Sequence, residues 1–205
     1  MPLILPGNVA TATAAVGYTV ANSCRFNDGD SAYVHKSPAS EGNRDTMTFS
    51  FWVKRGVISN QGIFNHYTDG NNYVECRIDG SHQLEFINVD GGATTWRLVT
   101  NRLFRDPSAW YHIVVALDSS DGTADDRQKI YVNGTQETSF ASRTNPDEDQ
   151  NCKWNNANQN TIGTGVGGSY FDGYLAEFVF IDGLQLAATS FGEFNSDSPT
   201  IWQPI

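Results

Sequence analysis

Apolar side chains fall at every second position in short runs along most of this chain, and that parity restricts its fold more than any other feature. In TMTFSFWVKRG, residues 46–56, Met47, Phe49, Phe51 and Val53 alternate with Thr48, Ser50, Trp52 and Lys54. A strand sends successive side chains to opposite faces, so such a run offers one face to a core. Comparable runs follow in GIFNHYTD, NNYVECRIDG, HQLEFINVDGG, TTWRLVTN, AWYHIVVALDS, RQKIYVNGTQET and FDGYLAEFVFIDG, punctuated by Gly, Asn and Asp. Roughly ten to twelve short strands at this spacing predict an all-β fold, an antiparallel sandwich or barrel. Only LQLAATSFGEF, residues 184–194, has room for a turn or two of helix. No repeat or linker divides the chain, so one domain is expected over residues 23–205, with a short C-terminal tail. Residues 1–22 are small and bland and read as an extended arm, either a loose tail or a segment that docks on a neighbouring subunit.

AWYHIVVALD and RQKIYVNGTQ are two strands joined by the acidic loop SSDGTADD. Asn133-Gly134 is a strong hairpin signal, so residues 129–138 should form a hairpin of their own. The sequon at Asn133 is read as that turn and nothing more.

Charge narrows the partners. The formal net charge is −10, which disfavours nucleic acid and anionic membrane surfaces, since phosphate contacts need Lys and Arg. No window approaches the roughly 20 apolar residues of a membrane span, and MPLILPGNVATATAAVG lacks the basic start of a secretory signal. Synthesis in the cytosol without Sec export is the expectation. Cys24, Cys76 and Cys152 are an odd set, read as reduced thiols, with one bridge plus one free thiol left open.

Four motifs occur in order over residues 23–194. They are Phe49, Trp52 and Lys54; then Trp110, His112 and Ile113; then Ile130, Tyr131, Val132, Asn133 and Gly134; then Phe171, Gly173, Leu175 and Glu177. This order resembles the laminin G-like or concanavalin A-like family, which implies an antiparallel β-sandwich of the jelly-roll type. The stretches MPLILPGN, RFNDGDSAYV, FIDGLQLAATSFGEF and IWQPI are similar to proteins encoded by marine bacteriophages. That likeness implies a virion structural or appendage protein, made in the host cytoplasm. Its partners would be copies of itself, other virion proteins and a cell-surface glycan.

The resemblance also directs attention to particular residues. Two sheets packed about 10 Å apart would take Met47, Phe49, Phe51 and Val53 inward and leave Trp52 outward. Trp52, Trp96 and Trp110 are the candidate ligand-binding residues, by stacking on a sugar ring, against the alternative that they pack under a loop. His112 is read as a hydrogen-bonded structural histidine with no triad partners. Tyr174, Ala176, Phe178 and Phe180 should share one face of the last strand, and Glu177 the other, where burial would demand a partner. Family members hold Ca²⁺ near the sheet rim on hard oxygen ligands. Three clusters invite it here: Asp28 and Asp30; Asp69, Asn71 and Asn72; and Asp118, Asp121, Asp125 and Asp126. All read first as solvated turns, no metal is required, and the last loop, with most charge to neutralise, is where Ca²⁺ is expected if it binds. Glycoside hydrolases of this broad fold carry E-x-D-x-x-E on one strand; residues 85–90, EFINVD, lack it, so no enzyme is expected.

Overall fold

The computed structural model describes residue 20 and residues 22–205. The arm expected over residues 1–22 therefore lies almost wholly outside the described residues. In chain order the strands are β1 (Cys24–Phe26), β2 (Val34–Lys36), β3 (Thr46–Arg55), β4 (Gln61–Asp69) and β5 (Asn72–Ile78). Then come β6 (Gln83–Asp90), β7 (Ala93–Leu103), β8 (Tyr111–Asp118), β9 (Gln128–Val132) and β10 (Thr135–Gln136). The last are β11 (Phe140–Thr144), β12 (Asn160–Ile162), β13 (Gly173–Asp182), β14 (Gly192–Phe194) and β15 (Trp202–Pro204).

The first thirteen form two stacked antiparallel sheets, and β14 and β15 pair apart from them. The first has the order β1-β13-β3-β8-β9-β10, the second β11-β7-β6-β5-β4-β12-β2. This is the expected all-β antiparallel sandwich. Strands far apart in sequence are neighbours, which is why short-range pattern alone leaves sandwich and barrel undecided. Between the sheets the alternation of β3 holds as read: Met47, Phe49, Phe51 and Val53 are fully buried. Phe49 stacks on Phe64 of the facing sheet at 4.4 Å, and Trp154 meets both rings edge-on at 5.1 and 5.2 Å. The hairpin signal is also realised, since Asn133 and Gly134 join β9 to β10 with φ of 47° and 79°.

One expectation fails, and it concerns β13, whose parity changes partway. Its register on β3 slips between Ala176 and Val179, a bulge with Glu177 at φ 47°. Upstream, Leu175 faces the core; downstream, Phe178 and Phe180 do. Tyr174 and Ala176 therefore do not share a face with Phe178 and Phe180, and Glu177 is exposed. One extra residue in the strand inverts every side chain after it.

Residues 184–194 hold the turn of helix expected there, the 3₁₀ turn Ala188–Ser190, followed by β14, while two further 3₁₀ turns, Asp28–Asp30 and Ala124–Asp126, fall outside that segment. A longer helix gives way because the segment lies flat on the outer face of the six-stranded sheet. The Thr48 hydroxyl donates to the Leu184 carbonyl at 2.6 Å and accepts from the Leu186 N–H at 2.8 Å. β14 then pairs with β15, and Trp202 packs with Val114, Ala116 and Ala188. Residues 184–205 thus act as a strap across this sheet. Gly134 and Gly192 make room for the Trp202 ring: a Cβ at either would come within 2.2 or 2.6 Å of it.

Candidate functional site

Outward parity on β3 puts Trp52 where the strap ends. Its neighbour across the ladder on β13 is Ala176, whose small side chain leaves space beside the indole. Trp110 stands just before β8, 37 % exposed, and Trp202 arrives from the strap. Together with Pro204 they line a cleft of about 400 Å³, with the amides of Asn22 and Gln203 among its walls. This size lies within the range of small-molecule sites, and the mixture of aromatic surface with a few amides suits them too.

Two of the three tryptophans singled out in the sequence therefore meet in one cleft. Trp96 does not. It is fully buried in the inter-sheet core, so the expectation that it contacts ligand is corrected. The alternation of its own strand carried the signal: Trp96 and Leu98 share a parity and both face the core, while Arg97 takes the other. Trp202 and Ala176 were missed because nothing local in the sequence says that the last residues fold back over β3.

Next to the cleft, Ser50 Oγ lies 2.9 Å from His112 Nε2, and Trp202 Nε1 lies 2.9 Å from His112 Nδ1. A serine facing an imidazole looks like a nucleophile and its base, a pairing the sequence did not reveal. Trp202 settles the tautomer. Indole nitrogen only donates, so Nδ1 must accept, and the ring proton sits on Nε2, which donates to Ser50. A ring in that state cannot take the serine proton. Burial also pushes the His112 pKa down from 6.5 to about 4, making it a weak base. His112 is the structural histidine expected, and it ties the strap to the sheet.

The outer face of the seven-stranded sheet carries a second polar group, a chain of Glu75, Arg77, Glu85 and Arg97. Arg77 Nη2 meets Glu85 Oε2 at 2.6 Å and its Nη1 meets Glu75 Oε2 at 3.4 Å, while Arg97 Nε meets Glu85 Oε1 at 2.8 Å. The Val166 N–H donates to Glu75 at 3.0 Å. Both carboxylates are 1 % exposed. Burial raises the Glu75 pKa to about 7, opposed by Arg77. Paired to arginines and shut from solvent, they lack the access that an acid and nucleophile pair requires.

The acidic loop does not fit a calcium ion. Asp118 accepts from Thr46 at 3.1 Å and from Ser120, and Asp121 from the Thr123 N–H at 2.7 Å. Asp125 accepts from Asn145 at 2.8 Å, and Asp126 pairs with Lys129 at 3.0 Å. Each carboxylate serves a different partner, so the loop gathers no shared set of hard oxygens. Asp69 accepts from the Asn71 N–H and from Asn72, closing its own turn, and Asn27 donates to Asp30 at 2.7 Å. Among the described residues no three His, Cys, Asp or Glu side chains converge as a metal site.

Comparisons place this geometry among known proteins. The model of the Laminin_G_3 family, described as the concanavalin A-like lectin/glucanases superfamily, matches residues 27–187. No curated protein sequence matches the chain. Mouse laminin α1 domains LG4–5 superpose with a TM-score of 0.57 at 13 % identity, over 90 % of this chain and 47 % of that one. Domain 4 of AbnA, a GH43 extracellular arabinanase from Geobacillus stearothermophilus, gives 0.51 at 16 % identity, over 70 % and 64 %. The CBM40 of the Ruminococcus gnavus IT-sialidase gives 0.50 at 13 % identity, over 77 % and 95 %. At these identities the likeness is one of fold. By the match over residues 27–187, the chain belongs to the Laminin_G_3 family of the concanavalin A-like lectin/glucanases superfamily.

Proposed function

We propose that this chain is a non-catalytic adhesive module that binds glycan in the cleft of Trp52, Trp110 and Trp202. The observation that carries the reading is the meeting of three indoles around a space of about 400 Å³ with amide groups beside them. Sugar rings present an apolar C–H face that aromatic planes cover, and hydroxyls that amides satisfy. The solved relatives of this fold include the AbnA domain in complex with arabinotriose and the CBM40 bound to α2,3-sialyllactose. Those ligands belong to those proteins; here the ligand class rests on the cleft. The Ser50–His112 tautomer and the arginine-bound Glu75 and Glu85 support a role without catalysis.

The test is binding to an array of bacterial and algal polysaccharides, followed by titration of the best ligand against wild type and Trp110→Ala. A loss of affinity of at least about tenfold, with the melting temperature unchanged, is expected for a partly exposed stacking residue. Absence of binding across the array, or equal binding by Trp110→Ala, sinks the reading. Binding that survives a calcium chelator fits the scattered carboxylates of the 118–126 loop.

We further propose a place on a virus particle, a reading that rests on the resemblance drawn from RFNDGDSAYV, FIDGLQLAATSFGEF and IWQPI in the sequence. In that setting other virion proteins are partners and the cleft meets the host surface. Mass spectrometry of purified particles tests it, and a chain found only in the soluble lysate contradicts it.

A further inference from the structure

At one edge of the sandwich the two sheets part around a cleft of about 520 Å³. Its walls include the inward-facing Phe178 and Phe180 of β13, Ile162 and Asn160 of β12, Trp154 and Lys36. Two features mark this edge as incomplete. β1 pairs with β13 only at Gly173, Tyr174 and Leu175, and among the described residues no strand pairs with residues 178–182 on the side away from β3. Asn160 is only 8 % exposed, yet its Oδ1 has no hydrogen-bond partner among the described residues. A buried acceptor left unpaired is costly, and an open strand edge is a template for another strand.

We propose that this edge accepts residues 9–16 of a second copy as an added strand. VATATAAV has no charge, proline or glycine, and it alternates Val9, Thr11 and Thr13 with Ala10, Ala12 and Ala14. That is the parity of a strand with one β-branched face and one small one. Backbone groups would continue the ladder that β1 begins, inward side chains would cover Phe178 and Phe180, and a threonine hydroxyl would donate to Asn160 Oδ1. An uncharged segment also avoids repulsion by Asp182, which lines the same cleft. Before β1, Val20, Asn22 and Ser23 line the tryptophan cleft on the outer face of the sheet.

The reach is short. Val20 and Ala176 line one cleft, so the point where a segment departs lies beside the edge where its counterpart docks. Four residues from 16 to 20 span up to about 14 Å when extended. A two-fold exchange then closes without leaving a free end, as symmetric dimers require. The proposal does not depend on glycan binding, and its test reads neither sugar nor Trp110.

The experiment uses the full chain and the double variant Thr11→Pro/Ala12→Pro, which lies outside every described element. Successive N–H groups of a strand point to opposite sides, so whichever parity faces β13 the pair removes a ladder donor from the incoming strand. Analytical ultracentrifugation over a concentration series should show a wild-type dimer and at least about a 30-fold weaker association in the variant. Hydrogen exchange should show protection of the 178–182 amides that rises with wild-type concentration and is lost in the variant. Three outcomes overturn the proposal: a wild-type monomer throughout, a dimer indifferent to the prolines, or protection of 178–182 that does not depend on concentration. The last would mean that the chain fills its own edge.

Discussion

His112 and Glu75 should tilt stability against pH in opposite directions, and removing either should expose the other. His112 sits between Ser50 and Trp202 with its pKa lowered from 6.5 to about 4 by burial. Between those values the unfolded chain binds a proton that the folded chain refuses, so stability falls as pH drops from 6.5 toward 4. Glu75 is raised from 4.5 to about 7, again by burial. There the folded chain holds a proton that the unfolded chain releases, so stability falls as pH rises from 4.5 toward 7. Each pH unit of displacement corresponds to about 1.4 kcal/mol, so each group alone contributes on the order of 3 kcal/mol. In the wild type these largely cancel between pH 4.5 and 6.5.

Glu75→Gln keeps an acceptor for the Val166 N–H and removes one titration. His112→Asn keeps an acceptor for Trp202 Nε1 and removes the other. Urea unfolding followed by tryptophan fluorescence from pH 4 to 8 gives the free energies. Glu75→Gln should lose on the order of 3 kcal/mol on acidification relative to the Glu75→Gln/His112→Asn pair, in which both terms are gone. Comparing those two variants removes the titration of all other carboxylates from the result. If their stability curves run parallel from pH 4 to 7, His112 is not held neutral by its burial, and the tautomer assigned through Trp202 loses its support.

Gly134→Ala drives a methyl into the Trp202 ring at a position of φ 79°, and should destabilise by about 2 kcal/mol in urea unfolding. Of the three thiols, only the exposed Cys24 should react quickly with a disulfide reagent in the native protein; Cys76 and Cys152, both buried, with burial raising the Cys152 pKa to about 12, should react only on unfolding. Millimolar Ca²⁺ should leave the melting temperature within about 1 °C of the chelated sample, since an ion that bound only the folded chain would raise it. A clear rise would mean that the aspartates of the 118–126 loop rearrange around the ion.

What the sequence made legible were the features written into neighbouring residues. The parity of β3 told which phenylalanines are buried, and Asn133-Gly134 told where β9 turns. Trp96 was equally legible by parity, which puts it with Leu98 on the core face of β7. The remainder depends on contacts across the chain. Ser50 meets His112 because β3 lies beside β8, and both matter because Trp202, 90 residues beyond His112, returns to them. No local pattern encodes that return. The acidic loop shows the opposite limit, where composition suggests an ion while four different partners divide the carboxylates.

The bulge in β13 has a consequence for how this sequence is compared with others. Side-chain parity works as a reading frame in a strand, and Glu177 is a single-residue insertion within it. Upstream of that position the odd-numbered Leu175 is core; downstream the even-numbered Phe178 and Phe180 are. Deleting Glu177 would remove the inserted residue and leave plain alternation, with Leu175, Phe178 and Phe180 inward and Val179 outward, whereas a second residue inserted there would turn both phenylalanines to solvent. An alignment that runs through residues 176–179 without a gap would pair core positions with surface ones along the rest of the strand. It would then record as divergence what is only a change of phase.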